Sequence, residues 1–253
     1  MDKYAVFLDI DNTLYCDGAV PERNIEAIKR AREKGHYVFI NTARSYGFMP
    51  KDLLETVNVD GVVSGIGTDL RFHGEQIFSR SMPEDELYAL VKHFFDNDDG
   101  STVIFEGEEK SLSINCDEWH KDRCLPLTSP EQIYTDYKDI KISKTFFVRD
   151  YTDSERKEWG SKYTLFRHKT YSEFVDKGFS KGEGLKRMAS LVGVPIEHCI
   201  AMGDSANDID MLKVAGISVA MGNAIDEVKE MCTYVSCDCK DGGVGQAIEK
   251  FLL

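Results

Sequence analysis

Short buried apolar runs alternate with helical patterns in both outer thirds of this 253-residue sequence. In the first third, apolar runs at 4–8, 37–40 and 61–63 are separated by helical patterns that begin after Pro21 and cover 49–57. Strands joined in this way by helices pair in parallel through right-handed crossovers. The alternation therefore predicts an α/β fold with a doubly wound, Rossmann-like parallel sheet.

The last third repeats this rhythm as far as the C-terminus. Its predicted helices and strands alternate in the order 180–191, 199–202, 207–214, 217–220, 224–231, 234–235 and 244–251.

The middle of the sequence has a different pattern. One helix is predicted at 85–95, and extended segments follow it at 102–106, 112–115, 142–148, 162–167 and 171–175. This α+β pattern between two α/β parts is typical of an inserted domain. We therefore expect a core formed by 1–82 and 178–253, with a separate α+β domain at 83–177.

Composition and charge exclude several classes of partner. The sequence has 31 basic and 44 acidic residues, a net charge of −13, which is the wrong sign for a general nucleic-acid surface. No apolar run approaches the ~18 residues of a membrane span. The first eight residues lead directly into a carboxylate pair without a signal-peptide pattern, so we expect a cytoplasmic protein. The seven cysteines include no C-x-x-C pair and are expected to be free thiols.

Two aspartates, Asp9 and Asp11, directly follow the first buried run. The carboxyl end of a strand in a parallel sheet is where doubly wound folds bind ligands. Adjacent carboxylates repel one another unless a cation or a shared proton relieves the repulsion. Mg²⁺ prefers one or two carboxylates together with waters and phosphate oxygens, so the pair indicates a magnesium site, although a solvated acidic turn would give the same pattern.

A second acidic cluster, Gly203-Asp204-Ser205-Ala206-Asn207-Asp208, follows another buried run and so belongs to the same edge of the predicted sheet. Asp204 would complete the metal site, while Asn207 and Asp208 could hold phosphate and orient the ligands. A helix N-cap explains Ser205 to Asp208 equally well, but it leaves Asp204 and Gly203 unexplained.

An anionic substrate of this acidic protein needs a local positive field. Lys181 begins a predicted helix, where its ammonium and the helix dipole would act together on an anion. Thr42 follows the second buried run, which places its hydroxyl at the same edge of the sheet.

Four segments, DIDNT (9–13), NTAR (41–44), SKGEGL (180–185) and GDSANDIDML (203–212), resemble the four ordered motifs of the haloacid dehalogenase-like (HAD) phosphohydrolases. The segments VAMGNA (219–224) and GGVGQAI (242–248) are similar to those of Cof-type members. The insertion lies where this family carries its C2-type cap, here expected in the C2B form. A cap of this kind would act as a lid that selects the leaving group.

The resemblance implies a Mg²⁺-dependent phosphatase of small phosphomonoesters, such as sugar phosphates or related metabolites. Asp9 would be the nucleophile that forms an aspartyl-phosphate, and Asp11 the general acid and base. The metal ligands would be the Asp9 and Asp204 carboxylates and the Asp11 backbone carbonyl. The phosphate oxygens would be held by four residues: Thr42, Ala43, Lys181 and Asn207.

Two positions depart from the family pattern, because Asn12 and Ala43 stand where glycine is usual. Asparagine tolerates left-handed backbone geometry, so the turn at Asn12 should survive. At Ala43 a methyl group would crowd the phosphate if the backbone required positive φ.

Three alternatives stay open from the sequence: a phosphomutase of the same fold, a non-catalytic phosphate-binding protein, and a two-metal nuclease, which the net charge of −13 disfavours. We expect a monomer or a small homo-oligomer.

Overall fold

The computed structural model describes residues 2–50, 52–118 and 120–253. They divide into two compact units. The first unit comprises Met1–Ala43, Met49–Phe78 and Ser180–Leu253, and the second comprises Arg44–Phe48 and Ser79–Phe179. Each unit is built around its own β-sheet.

The first unit contains an eight-stranded sheet. With strands numbered along the whole chain, its members are β1 (Ala5–Leu8), β2 (Tyr37–Asn41), β3 (Gly61–Ser64), β4 (Asp69–Phe72), β5 (Glu75–Ser79), β12 (Cys199–Gly203), β13 (Ile217–Ala220) and β14 (Tyr234–Val235). Their spatial order is β14-β13-β12-β1-β2-β3-β4-β5. The six strands from β14 to β3 pair in parallel, which confirms the predicted doubly wound fold.

The strands β4 and β5 extend this sheet beyond the predicted elements. β4 pairs antiparallel with β3, so the sheet is mixed at this edge. The side chains of β5 are exposed or half-buried, so its sequence carries no apolar run of the kind that predicted the buried strands. A turn through His73 and Gly74, both with positive φ, joins the two strands.

Among the described residues, six α-helices accompany this sheet: α1 (Glu22–Glu33), α2 (Leu53–Val57), α5 (Lys181–Val192), α6 (Ile209–Val214), α7 (Asp226–Met231) and α8 (Gly243–Leu252). α1 packs against α8, and α5 packs against α6. The predicted apolar stripe of α1 buries Ile28 and Ala31, because residues at helical spacing share one face. Nowhere in the described part of the chain is a helix both long and apolar enough to cross a bilayer.

The second unit has a six-stranded sheet in the order β10-β11-β9-β6-β7-β8. Its strands are β6 (Val103–Gly107), β7 (Ser111–Ile114), β8 (Cys124–Pro126), β9 (Ile142–Phe147), β10 (Tyr163–Arg167) and β11 (Ser172–Asp176), with helices α3 (Glu84–Asp96) and α4 (Asp153–Trp159). Side chains of α3, among them Leu90 and Phe94, pack with Phe105, Phe147 and Trp159 in the core of this unit.

Buried charges occupy three strands of the second sheet. The Lys144 ammonium lies 3.0 Å from Glu106 and 2.8 Å from Glu173. The second carboxylate oxygen of Glu173 meets His168 at 2.9 Å. Because successive side chains of a strand point to opposite faces, Glu106 on β6 lies on the face opposite to the apolar Phe105. The pairing offsets the cost of burying these charges.

The structure corrects the expectation that all cysteines are free. It pairs Cys16 with Cys239, whose Cα atoms lie 6.2 Å apart, as a disulfide. A Cα separation of this size is compatible with such a bond. The two residues are 223 positions apart in sequence. Spacing along the chain therefore carried no sign of the pair, which only the fold brings together.

Candidate active site

The carboxyl ends of three adjacent strands carry the residues of the candidate site. β1 lies between β12 and β2, and the three strands run parallel. Asp9 follows β1, Asp204 follows β12, and Thr42 follows β2, so all three lie at one edge of the sheet. All three are buried.

Lys181 connects the acidic residues of this edge. Its ammonium nitrogen lies 2.6 Å from Asp9 Oδ1, 2.6 Å from Asp208 Oδ1 and 3.4 Å from Asn207 Oδ1. The Lys181 side chain is only 1% exposed. Ser180 caps α5 by accepting a hydrogen bond from the Glu183 backbone, which fixes the start of the helix just before Lys181. The structure thus brings together residues from three sequence motifs.

Burial sets the electrostatics of the cluster. Burial raises the pKa of Asp9 well above its usual range, although Lys181 acts in the opposite direction and Asp208 adds to the rise. Burial and the Asp208 carboxylate raise the pKa of Asp204 to about 7. Burial alone would lower the pKa of Lys181, but the carboxylates of Asp208 and Asp9 hold it above its usual range. The site therefore stabilises the positive charge and disfavours further negative charge.

Asp208 organises the segment that carries Asp204. Its Oδ2 accepts hydrogen bonds from the backbone nitrogens of Asp204 at 3.0 Å and Ser205 at 3.1 Å, while its Oδ1 meets Lys181. The predicted N-cap at Ser205 is therefore present, as a reciprocal capping box with Asp208. A Cβ atom on Gly203 would lie 2.4 Å from Asp208 Cγ, which explains why glycine ends β12.

The donor set fits a hard divalent cation. Carboxylate oxygens of Asp9, Asp204 and Asp208 lie within 4.8 Å of one another, and all three residues are buried. If all three carboxylates were ionised, the Lys181 ammonium would leave two negative charges uncompensated. Both Asp208 oxygens are already engaged by Lys181 and by backbone amides. Asp9 and Asp204 are therefore the carboxylates best suited to bind Mg²⁺.

Asp11 lies in a tight turn directly after β1, where it is half-buried. The Ile10 carbonyl accepts hydrogen bonds from the backbone nitrogens of Leu14 at 3.0 Å and Tyr15 at 2.8 Å, which closes this turn. Asn12 has φ 56°, so it adopts the left-handed geometry that the turn was expected to need.

The φ angle of Ala43 is not positive. Its methyl group is thus accommodated in ordinary backbone geometry. Ala43 is half-buried and directly follows Thr42.

Sequence reasoning assigned no role to two residues that contact this cluster. The Thr13 hydroxyl lies 3.5 Å from Asp204 Oδ1, and the Asn41 side-chain amide donates to the Lys181 backbone carbonyl at 2.9 Å. Both belong to motifs that had been recognised, DIDNT and NTAR. Their partners lie 191 and 140 residues away, so only the fold reveals the contacts.

The chain is similar to known proteins over almost its whole length. The family described as haloacid dehalogenase-like hydrolase matches residues 6–248. The chain is 28% identical to the putative phosphatase YkrA of Bacillus subtilis, over 99% of this chain and 98% of that protein. It is 35% identical to a phosphoglycolate phosphatase of Methanobrevibacter smithii over the whole of both chains. The solved structure of the HAD subclass IIB sugar phosphatase BT4131 is 26% identical, covers 98% of this chain and 99% of its own, and superposes with a TM-score of 0.82.

A doubly wound sheet with buried carboxylates and a lysine at its strand ends, together with these similarities, defines a phosphatase-type hydrolase. The chain belongs to the haloacid dehalogenase-like hydrolases. Within them it is a phosphatase of the Cof type.

Proposed function

We propose that the protein is a Mg²⁺-dependent phosphatase that hydrolyses small phosphomonoesters through an aspartyl-phosphate intermediate. The observation that carries this proposal is the buried contact of 2.6 Å between Asp9 and Lys181, beside the carboxylates of Asp204 and Asp208. The substrate class draws further support from two similar proteins, a phosphoglycolate phosphatase and a sugar phosphatase, both of which are named for small phosphorylated compounds.

In this proposal the Asp9 carboxylate attacks phosphorus and forms the acyl phosphate. The nucleophile must be ionised, but burial and the neighbouring carboxylates raise its pKa. Bound Mg²⁺, held by the Asp9 and Asp204 carboxylates and the Asp11 carbonyl, would supply positive charge that favours the ionised form and screens it from phosphate. The Lys181 ammonium acts in the same direction from the other side.

Asp11 would donate a proton to the leaving alkoxide and then take one from the water that hydrolyses the intermediate. Lys181, Asn207, the Thr42 hydroxyl and the Ala43 backbone N–H would hold the equatorial phosphate oxygens, where negative charge is spread in the transition state. Asp208 would keep Lys181 and the Asp204 backbone in place through its two engaged oxygens.

The test is phosphate release from a panel of phosphomonoesters, with Asp9→Asn compared with the wild type. Asn keeps the shape of Asp9 but cannot act as the carboxylate nucleophile, so turnover should disappear while circular dichroism stays unchanged. Asp226→Asn, an exposed change in the first turn of α7, is the matched control and should keep full activity. Substantial phosphatase activity in Asp9→Asn would remove Asp9 from the proposed role.

The metal is tested by chelation. EDTA should suppress phosphate release, and added Mg²⁺ should restore it, because the proposed site lacks enough positive charge without the ion. Hydrolysis that continues unchanged in EDTA would contradict the metal-dependent mechanism. Isomerised sugar phosphate in place of free phosphate would indicate a mutase.

Our proposal also includes domain boundaries at 82/83 and 177/178, the C2B form of the cap, and a monomeric or small homo-oligomeric state. Limited proteolysis should cut first near these two boundaries, where the chain passes between the expected domains. Light scattering of the purified protein measures the oligomeric state.

A further inference from the structure

Two features of the first unit are unfavourable for the free energy of folding, and the proposed chemistry does not explain them. The Asn41 side chain is fully buried, and its Oδ1 has no hydrogen-bond partner among the described residues. Ile66 has φ 59° and ψ 37°, a left-handed conformation that is uncommon for a β-branched residue. Local costs of this kind persist where the surrounding structure requires them, and they concentrate at functional sites.

The amide nitrogen of Asn41 contacts the element that carries Lys181. It donates a hydrogen bond of 2.9 Å to the Lys181 backbone carbonyl. Asn41 is the last residue of β2, and Lys181 is the first residue of α5. This hydrogen bond therefore ties the end of the strand before Thr42 to the start of the helix whose lysine meets Asp9.

The segment Gly65–Gly67 holds the same helix from another side. The Ile66 backbone nitrogen donates to the Thr42 carbonyl at 3.2 Å. A Cβ atom on Gly67 would lie 2.6 Å from the Ser180 carbonyl oxygen, and one on Gly184 would lie 2.4 Å from Val63 Cγ1. No space for a methyl group separates this segment from the first turn of α5.

We propose that Asn41 is a positioning residue for phosphate capture, which fixes the Lys181 backbone against the end of β2 so that the ammonium meets Asp9. The proposal rests on the phosphatase function above and adds a residue to it. Asn41 acts through Lys181 and does not itself touch phosphate. A lysine side chain is flexible, so its reach to two carboxylates at 2.6 Å each depends on where its backbone is held.

The substitution that tests this role is Asn41→Leu, which keeps the number and branching of the side-chain heavy atoms but removes the amide donor. It also removes the unpaired Oδ1, so the thermal midpoint should shift by only a few degrees. A misplacement of about 1 Å in an active site can reduce turnover roughly 100-fold. We therefore expect kcat for p-nitrophenyl phosphate to fall about 10- to 100-fold and the inhibition constant of orthovanadate to rise about tenfold.

Asn24 provides a matched control. It is also fully buried, with one amide atom paired and the other unpaired: its Oδ1 accepts from Gly245 N at 2.8 Å, and its Nδ2 has no partner among the described residues. Asn24→Leu leaves the Gly245 nitrogen unpaired and should lower the thermal midpoint. It lies on α1, which carries none of the proposed site residues, so kcat and orthovanadate inhibition should stay at wild-type values.

A second pair of variants tests the position of α5 independently. Gly184→Ala should displace the first turn of the helix, because its methyl group would overlap Val63 Cγ1. Adding Val63→Ala removes that carbon and should restore much of the lost turnover. Recovery of turnover in the double variant supports control of activity by the position of α5, and no recovery contradicts it.

The outcomes separate this inference from the proposed function. A wild-type protein that releases no phosphate refutes the proposed function itself. An active wild type with wild-type kcat and orthovanadate inhibition in Asn41→Leu refutes the positioning role alone. If Asn41→Leu does not fold, Asn41→Ala replaces it with the same expected losses, and wild-type kinetics in that variant refute the role equally.

Discussion

The replacement Lys181→Met tests the electrostatic basis of the site most directly. Methionine keeps the unbranched apolar stem of the side chain but removes the ammonium that contacts Asp9 and Asp208. The side chains of Lys181, Asp9 and Asp208 are 1%, 6% and 0% exposed, so water cannot replace the lost cation. The carboxyl groups of Asp9 and Asp208 would remain buried beside that of Asp204 without a compensating charge.

The expected loss in the free energy of unfolding follows from the distances between Lys181 and the two carboxylates. At 2.6 Å and an effective dielectric constant of about 20, each contact contributes about 6 kcal/mol of Coulomb attraction. Much of this attraction offsets the cost of burying the charges. Removing one partner of a buried pair therefore costs about 3–5 kcal/mol in the free energy of unfolding. Proton uptake by a carboxyl group limits the loss, so the deficit should shrink as the pH is lowered.

The assay is urea denaturation of the metal-free protein at pH 7 and pH 5. Lys186→Met is the matched control on the same helix, because Lys186 is 48% exposed and pairs with Glu183 at the surface. The control should lose less than about 1 kcal/mol. If Lys181→Met lost no more than this control at pH 7, the ammonium would not be the charge that holds the buried carboxylates.

Three further predictions concern other parts of the molecule. Although burial acts to raise it, the Lys144 ammonium helps to hold the pKa of Glu173 at about 2, below its ordinary 4.5. The stabilisation from this lowered pKa is complete above pH 4.5 and is lost as the pH falls towards 2. Denaturation at stepped pH should therefore show a loss on the order of 3 kcal/mol in the free energy of unfolding, which Glu173→Gln abolishes. An identical acid profile in that variant would contradict the ion pair. Thiol titration of the unfolded, unreduced protein should find the five free cysteines, and seven reactive groups would refute the bond between Cys16 and Cys239. Asn12→Gly should keep full stability, whereas Asn12→Val should cost about 1–2 kcal/mol at its positive φ; equal unfolding midpoints for the two variants would show that the turn does not require this geometry.

Much of the fold followed from patterns within short segments of the sequence. Buried apolar runs predicted the central strands of the first sheet, and helical spacing predicted α1, α5 and α8 with ends close to those observed. β4, β5 and β8 were not predicted, because they are at least partly exposed and carry no apolar run. Tertiary pairing, rather than local preference, makes them strands.

The candidate site was also predictable only in part from the sequence. Acidic residues directly after buried strands were visible as motifs, and parallel pairing determined that they share one edge of the sheet. The role of Gly203 was not visible, because it depends on where the Asp208 carboxyl packs. Asn41 also escaped notice, since its partner lies 140 residues away.

The sequence by itself determined the alternation of strands and helices, the strand ends that carry the aspartates, and the order of the four motifs. Those properties depend on hydrophobic periodicity and on spacing, which act over a few residues. Only the tertiary structure decided that Lys181 meets Asp9 and Asp208 at 2.6 Å, that Cys16 lies beside Cys239, and that Lys144 is buried between two glutamates. Such contacts join residues far apart in the chain, so their distances are set by how whole elements pack.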